Sequence, residues 1–121
     1  MTEQSYEQRV AEAKTRVREV TPEQAIAMRR RGEDAVFLDV REPHEWNLFR
    51  IPGAVHVPLG QLEARVADAV PRDRHVVVYC ARGNRSALAA DAMQNMGYTD
   101  VASMAAGING WAHAGGEVDD A

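Results

Sequence analysis

Two short apolar runs constrain the fold of this chain more than any other feature of its sequence. The run His75-Val76-Val77-Val78-Tyr79 is rich in β-branched residues, and residues 35–40 have a similar character, apart from Asp39 near the end. Each run predicts a strand that is buried on both faces. Because helical patterns separate such runs along the chain, the sequence predicts an α/β fold with a parallel sheet and helices on both faces.

Capping signals and apolar spacings indicate where the other elements lie. Residues 4–19 carry a helical stripe, although residues 17–20 also suit a short first strand. Thr21-Pro22-Glu23-Gln24 predicts a helix start, and Gly32 predicts the end of that helix. The remaining predicted elements are a strand at 54–57, a helix at 59–69, a helix from Ser86 to Gly97, a strand at 101–104 and a short helix at 107–112.

The length of 121 residues suits one folded domain. We expect an N-terminal helix over residues 1–16, the sheet-containing domain over residues 17–116 and a tail over residues 117–121. The chain is expected to fray from Gly115 onward.

Composition excludes several classes of protein. A single cysteine, Cys80, cannot form an intrachain disulfide, a cysteine-rich zinc site or an iron–sulfur cluster. The net charge of −4 gives no electrostatic footprint for nucleic acid. The longest run without Asp, Glu, Lys or Arg, residues 101–116, is too short to cross a membrane, and the first residues do not resemble a secretory signal. From these observations we expect no membrane contact and a cytoplasmic location. The four histidines lack ligand spacing, so we also expect no metal.

Cys80 directly follows the strand at residues 75–79, and residues 81–85 lead into the next helix. Open α/β sheets bind ligands in such loops, at the carboxyl ends of parallel strands. Backbone N–H groups at a helix start lack helical partners and can point at an anion, and Gly83 and Asn84 tolerate the left-handed angles that such a turn needs.

The surroundings predicted for Cys80 favour a thiolate, because N–H groups and the helix dipole stabilise negative charge. Arg82 and Arg85 add positive charge, and Arg85 is suited to bind an oxyanion with its two-pronged guanidinium. The alternative is an inert, buried cysteine. The coincidence of strand end, Gly-Asn turn, two arginines and helix start favours the reactive thiolate.

The segment Cys80-Ala81-Arg82-Gly83-Asn84-Arg85-Ser86 resembles the active-site loop of single-domain rhodanese-like sulfurtransferases. Three further segments resemble other signatures of this family, and together the four cover about residues 17–116 in the family's order. These segments are Leu38-Asp39-Val40-Arg41-Glu42 with Glu45-Trp46, Ile51-Pro52-Gly53-Ala54-Val55-His56-Val57-Pro58, and Ala106-Gly107-Ile108-Asn109-Gly110-Trp111.

The resemblance implies a rhodanese-like single domain with a central five-stranded parallel sheet and a transfer of sulfane sulfur. Cys80 would take sulfur from thiosulfate or a persulfide donor and pass it to cyanide or to a cellular thiol. The thiol acceptor is either a small molecule or a protein thiol. The implied binding loop for the persulfide and substrate comprises Ala81, Arg82, Gly83, Asn84, Arg85 and Ser86. The resemblance implies no cofactor and leaves a monomer or a weak homodimer open.

Two other functions stay open at this point. Related phosphatases place five residues between the cysteine and the arginine, whereas four separate Cys80 from Arg85. The smaller loop favours sulfur over phosphate and so disfavours a phosphatase or an arsenate reductase. A non-catalytic rhodanese-like binding or regulatory module is the other alternative, but such modules often lack the cysteine.

Four further residues have a functional and a structural interpretation. Asp39 and Arg41 lie near the end of a strand, where they either support the Cys80 loop or form a structural pair. Ser86 either donates to a bound anion or caps the helix, and the cap is the preferred interpretation. Arg50 stands where the family usually has a histidine, and we favour a solvated surface arginine over a pocket cation.

Overall fold

The computed structural model describes residues 4–120. The elements in this part of the chain are α1 (Tyr6–Arg16), β1 (Arg18–Val20), α2 (Pro22–Arg30), β2 (Ala35–Asp39), α3 (Pro43–Leu48), β3 (Phe49–Arg50), β4 (Val55–His56), a 3₁₀ turn (Leu59–Gln61), α4 (Leu62–Ala69), β5 (His75–Tyr79), α5 (Asn84–Asn95), β6 (Val101–Met104), α6 (Gly107–His113) and β7 (Asp119–Asp120). None of the helices within residues 4–120 combines the length and the apolar character needed to cross a bilayer.

The main sheet has five strands in the order β1-β6-β5-β2-β4. All of its neighbouring strands run parallel, which confirms the predicted α/β architecture. Strand β5 lies at the centre, and its residues Val76 and Val78 pair in register with Val36 and Leu38 of β2. The central position explains why this strand is apolar on both faces.

Helices cover both faces of the sheet and create two separate cores. Helices α1, α4 and α5 pack on one face, where Val76, Val78 and Cys80 point. Helices α2 and α6 pack on the other, where Val77 and Tyr79 point. The side chains of a strand alternate between faces, so the position of Cys80 after β5 directs its sulfur toward α5.

The structure differs from the sequence predictions at several elements, among them the unpredicted short strands β3 and β7. Helix α3 was not predicted, because its six residues are too short to show a helical period. The N-terminal helix ends at Arg16 and does not continue to residue 19. The edge strand β1 follows it, which confirms the strand alternative for residues 17–20. Helix α5 begins at Asn84, two residues before the predicted start.

The prediction of a frayed tail from Gly115 is wrong for the described residues. Strand β7 pairs antiparallel with β3, and the indole nitrogen of Trp111 donates to the carbonyl of Glu117 at 2.7 Å. The ring of Trp111 also meets Phe37 edge to face, at 5.5 Å between centroids. The tail is therefore held through Trp111, which packs α6 onto the sheet.

The first turn of α6 lies against the chain just after β5. The N–H of Ile108 donates to the carbonyl of Cys80 at 2.8 Å, and the N–H of Asn109 donates to the carbonyl of Ala81 at 3.1 Å. Gly107 permits this approach because its φ is +56° and a Cβ there would overlap the carbonyl of Cys80. A glycine at this position thus fixes α6 against the start of the loop.

We predict that Gly107→Ala lowers the free energy of unfolding by about 3 kcal/mol or more, because overpacking and a left-handed backbone angle both disfavour a side chain there. Gly60→Ala is the matched control, since a Cβ at Gly60 meets open space; we expect a change below about 1 kcal/mol. Urea unfolding followed by circular dichroism measures both. Equal stabilities of the two variants would contradict the prediction.

Candidate active site

The sulfur of Cys80 lies at the base of the loop that joins β5 to α5, and the residue is 1% exposed. The backbone N–H of Gly83 donates to Sγ at 3.1 Å, and the N–H of Ser86 donates to it at 3.4 Å. Gly83 is the N-cap of α5, and its φ of +101° allows the chain to turn back over the sulfur. The loop therefore surrounds the sulfur with hydrogen-bond donors, as the sequence predicted.

The electrostatic environment of this sulfur favours negative charge. The first turn of the 12-residue helix α5 faces it, and the helix dipole is positive at that end. The carbonyls of Cys80 and Ala81 accept hydrogen bonds from N–H groups in the first turn of α6, so these two acceptors are directed toward α6. Donors without competing acceptors stabilise a thiolate, or a larger sulfur anion bound to it.

Ser86 lies inside α5 rather than at its cap, because the N-cap is Gly83. The cap interpretation is therefore wrong. The buried hydroxyl of Ser86 lies 3.5 Å from the sulfur of Cys80 and 2.8 Å from the hydroxyl of Ser103 on β6. The other interpretation, that this hydroxyl donates to a bound anion, stays a prediction.

Arg85 forms a two-pronged ion pair with Glu45 of α3. Its Nη1 lies 2.7 Å from Oε1 and its Nη2 lies 3.0 Å from Oε2. These hydrogen bonds are the main reason that the pKa of Glu45 falls to about 2 and that the pKa of Arg85 rises above its ordinary value. The guanidinium expected to bind an oxyanion is thus occupied by a carboxylate of the same chain.

A cavity of about 330 Å³ opens above the sulfur. Its walls combine the loop after β5 with two residues from elsewhere, Glu45 of α3 and Tyr6 of α1. The lining residues are Tyr6, Glu45, Cys80, Ala81, Arg82, Asn84 and Arg85. Sequence reasoning missed Tyr6 and Glu45 as site residues; the only signal for Glu45 was its place in a segment that resembles a family signature.

The side chains of Asp39 and Arg41 form a buried ion pair, 0% and 2% exposed. Arg41 Nη2 lies 2.8 Å from Asp39 Oδ2 and donates to the carbonyl of Phe49 at 2.6 Å. Within residues 4–120, none of the hydrogen bonds of these two side chains reaches residues 80–86. The geometry fits the structural interpretation, since the pair fixes β3 beside the end of β2.

Arg50 neither lines the cavity above Cys80 nor extends freely into solvent. It is half-buried in β3, and its guanidinium lies 4.7 Å above the ring of Trp46. Trp46 stacks in turn on His56, with 4.7 Å between ring centroids. Arg50 therefore completes a stack of planar groups, and the preferred surface interpretation is wrong.

The Glu45–Arg85 pair predicts a dependence of stability on pH. The pKa of Glu45 is about 2 in the folded chain and 4.5 as its ordinary value, so the unfolded state binds more protons between these pH values. Stability from the pair is complete above pH 4.5 and is lost as the pH falls through about 2.

We expect the free energy of unfolding to fall more steeply between pH 4.5 and 2 in the wild type than in Glu45→Gln. One titrating proton limits the difference in slope to about 1.4 kcal/mol per pH unit. Denaturant unfolding at a series of pH values measures it. If the free energy of unfolding depends on pH equally in the two proteins, the pH dependence does not come from the Glu45–Arg85 pair.

A comparison with protein-family models identifies a Rhodanese-like domain over residues 21–114. The chain is 35% identical over 97 residues to the thiosulfate sulfurtransferase GlpE of Pseudomonas syringae, which covers 80% of this chain and 89% of the relative. It is 37% identical over 79 residues to YrkF of Bacillus subtilis, but there it spans only 42% of the longer relative.

The fold also resembles a solved structure over nearly its whole length. Protein RPA3614 of Rhodopseudomonas palustris superposes with a TM-score of 0.86 and is 32% identical, and the match covers 98% of this chain and 97% of that one. RPA3614 is described as a protein of unknown function and a possible tyrosine phosphatase. The family model and the length of the match to GlpE show that this chain belongs to the rhodanese-like domain family.

Proposed function

We propose that this chain is a rhodanese-type sulfurtransferase that carries sulfane sulfur as a persulfide on Cys80. The observation that carries the proposal is the convergence of the Gly83 and Ser86 N–H groups on the buried sulfur. Relatives named thiosulfate sulfurtransferases support it, as does membership of the family. The donor is thiosulfate or a persulfide, and the acceptor is cyanide or a thiol.

The first step loads the enzyme. The Cys80 thiolate attacks the outer sulfur of thiosulfate, a new S–S bond forms, and the S–S bond of thiosulfate breaks. Sulfite leaves with the electron pair of the broken bond. The N–H donors beside Sγ and the start of α5 stabilise the negative charge of the bound sulfur, which at neutral pH is itself an anion.

The second step removes the sulfur. Cyanide or a thiolate attacks the outer sulfur of the persulfide, and the S–S bond to Cys80 breaks with its electron pair on Cys80. The products are thiocyanate, or the acceptor's persulfide, and the regenerated thiolate. Because the two substrates react in turn with one sulfur, the kinetics are expected to be ping-pong.

Arg85 is the residue in the cavity best suited to hold the donor's oxygens. It is held by Glu45 in the free protein, so an oxyanion must compete with that carboxylate for the guanidinium. Arg82 is exposed at the cavity and offers a second, unburied cation. In the proposed reaction both cations bind the oxygens of the donor, whereas the backbone N–H groups of Gly83 and Ser86 bind Cys80 Sγ.

A phosphatase is the second candidate, and the description of RPA3614 favours keeping it. Against it stands the loop, which has four residues between Cys80 and Arg85. This is one residue fewer than in the related phosphatases, and the smaller loop favours sulfur over phosphate. Hydrolysis of an aryl phosphate that Cys80→Ser abolishes would support the phosphatase.

We predict that incubation with thiosulfate adds the mass of one sulfur atom to the protein and that cyanide removes it. Cys80→Ser is expected to gain no mass, since Cys80 is the single cysteine of the sequence. Intact-protein mass spectrometry measures both states. If neither thiosulfate nor an organic persulfide loads the wild type, the proposal fails, and the phosphatase and the non-catalytic module are the functions left.

We also predict that Arg85→Ala raises the KM for thiosulfate by about tenfold or more, because a charge-assisted contact with the donor is lost. Arg65→Ala is the matched control: Arg65 bonds to Gln61 on an exposed surface and does not line the cavity. Steady-state thiocyanate formation measures both variants. Equal KM values would show that Arg85 serves only the ion pair with Glu45.

A further inference from the structure

Helix α1 contributes an aromatic residue to the mouth of the Cys80 cavity. Tyr6 is the first residue of α1 and lines the cavity opposite the loop that follows β5. The residue precedes residues 21–114, the part of the chain matched by the family model. The aromatic wall is therefore supplied by a segment outside the matched domain.

Tyr6 is held in place, although it lies near the N-terminus. A reciprocal cap begins α1: the N–H of Gln8 donates to Ser5 Oγ at 3.1 Å, and the N–H of Ser5 donates to Gln8 Oε1 at 2.8 Å. At its other end, Arg16 binds Asp91 of α5 through two hydrogen bonds of 3.0 and 2.8 Å. Both ends of the helix are thus fixed, and so is the position of its first residue.

The helix also contacts the active-site loop directly. Lys14 Nζ donates to Asn84 Oδ1 at 3.3 Å, and Asn84 is itself a lining residue. Tyr6 and Arg85 also line the same cavity. The ring of Tyr6 is 44% exposed, so the core does not require it.

We infer that Tyr6 is a specificity-determining residue whose ring narrows the mouth of the cavity, so that small sulfur donors and acceptors reach Cys80 and bulky thiols are excluded. The inference deepens the proposed sulfur transfer and rests on it. The sulfur is buried at the base of a cavity of about 330 Å³, so an acceptor must enter this cavity to react with it. Cyanide has only two atoms, whereas glutathione would have to bring the peptide groups that flank its sulfur past the Tyr6 ring.

If the Tyr6 ring excludes large molecules, its removal is expected to increase the rate at which large reagents react with Cys80. Alkylation tests this independently of sulfur transfer, because Cys80 is the only thiol in the sequence and peptide mapping shows the adduct on it. Mass spectrometry measures the rate at which Cys80 is alkylated by a small reagent, iodoacetamide, and by a large one, a pyrene maleimide. We expect Tyr6→Ala to raise the rate ratio of large to small reagent by about tenfold, a size typical of steric discrimination.

Two variants serve as controls for this experiment. Tyr6→Phe keeps the ring and is expected to keep the wild-type ratio, which separates the ring from its hydroxyl. Leu48→Ala removes an exposed apolar side chain, 67% exposed, that does not line the cavity. If Tyr6→Ala unfolds, Tyr6→Leu retains a smaller wall and is expected to give an intermediate ratio.

The same variants are then assayed with cyanide and glutathione as acceptors. We expect Tyr6→Ala to raise kcat/KM for glutathione relative to cyanide by about tenfold. An unchanged or lower ratio in both the alkylation and the acceptor assays overturns the role of Tyr6. Absence of sulfur loading in the wild type overturns the proposed function instead, and alkylation alone then decides whether Tyr6 narrows the cavity.

Discussion

The packing of α6 against the end of β5 determines which backbone groups face the sulfur. The carbonyls of Cys80 and Ala81 accept hydrogen bonds from the first turn of α6. With those acceptors directed away, the N–H groups of Gly83 and Ser86 are free to donate to Cys80 Sγ. An anion site needs both conditions, because a nearby carbonyl would repel the charge that the N–H groups attract. The close approach at Gly107 is therefore a requirement of the fold, and it also serves the proposed chemistry.

The two cores of the sheet explain why such a loop can be held rigidly. Strand β5 is central, with neighbours on both sides and helices over both faces, so its end cannot shift without disturbing both cores. The buried Asp39–Arg41 pair ends the neighbouring strand β2. Breaking such a pair leaves an uncompensated buried charge, which costs about 3–5 kcal/mol. Structural residues thus act on the site by aligning β2 with β5, without touching the sulfur.

The part of the site that the sequence predicts is the part that is local in the chain. Strand β5, the turn and the cysteine lie within about ten residues, and the apolar run, Gly83 and the arginines identify them together. Tyr6 and Glu45 reach the same cavity from α1 and α3. The spacing of residues along a single sequence does not show that these two side chains lie close to Cys80 in three dimensions. The pairing of β3 with β7 escaped prediction for a related reason, since strands of two residues carry no period.

In the proposed sulfur transfer, the presence of a single cysteine means that the sulfur donor and the acceptor use the same cavity in turn. A second thiol in the chain would resolve the persulfide internally, but the sequence contains none, so an external acceptor must reach the outer sulfur. The residues around the mouth then act on both half-reactions. In the proposed transfer, Glu45 would compete with an anionic donor for Arg85, and Tyr6 would limit the size of the acceptor. The proposed site would thereby acquire selectivity from two residues outside its signature loop, one of them on the helix that precedes the matched domain.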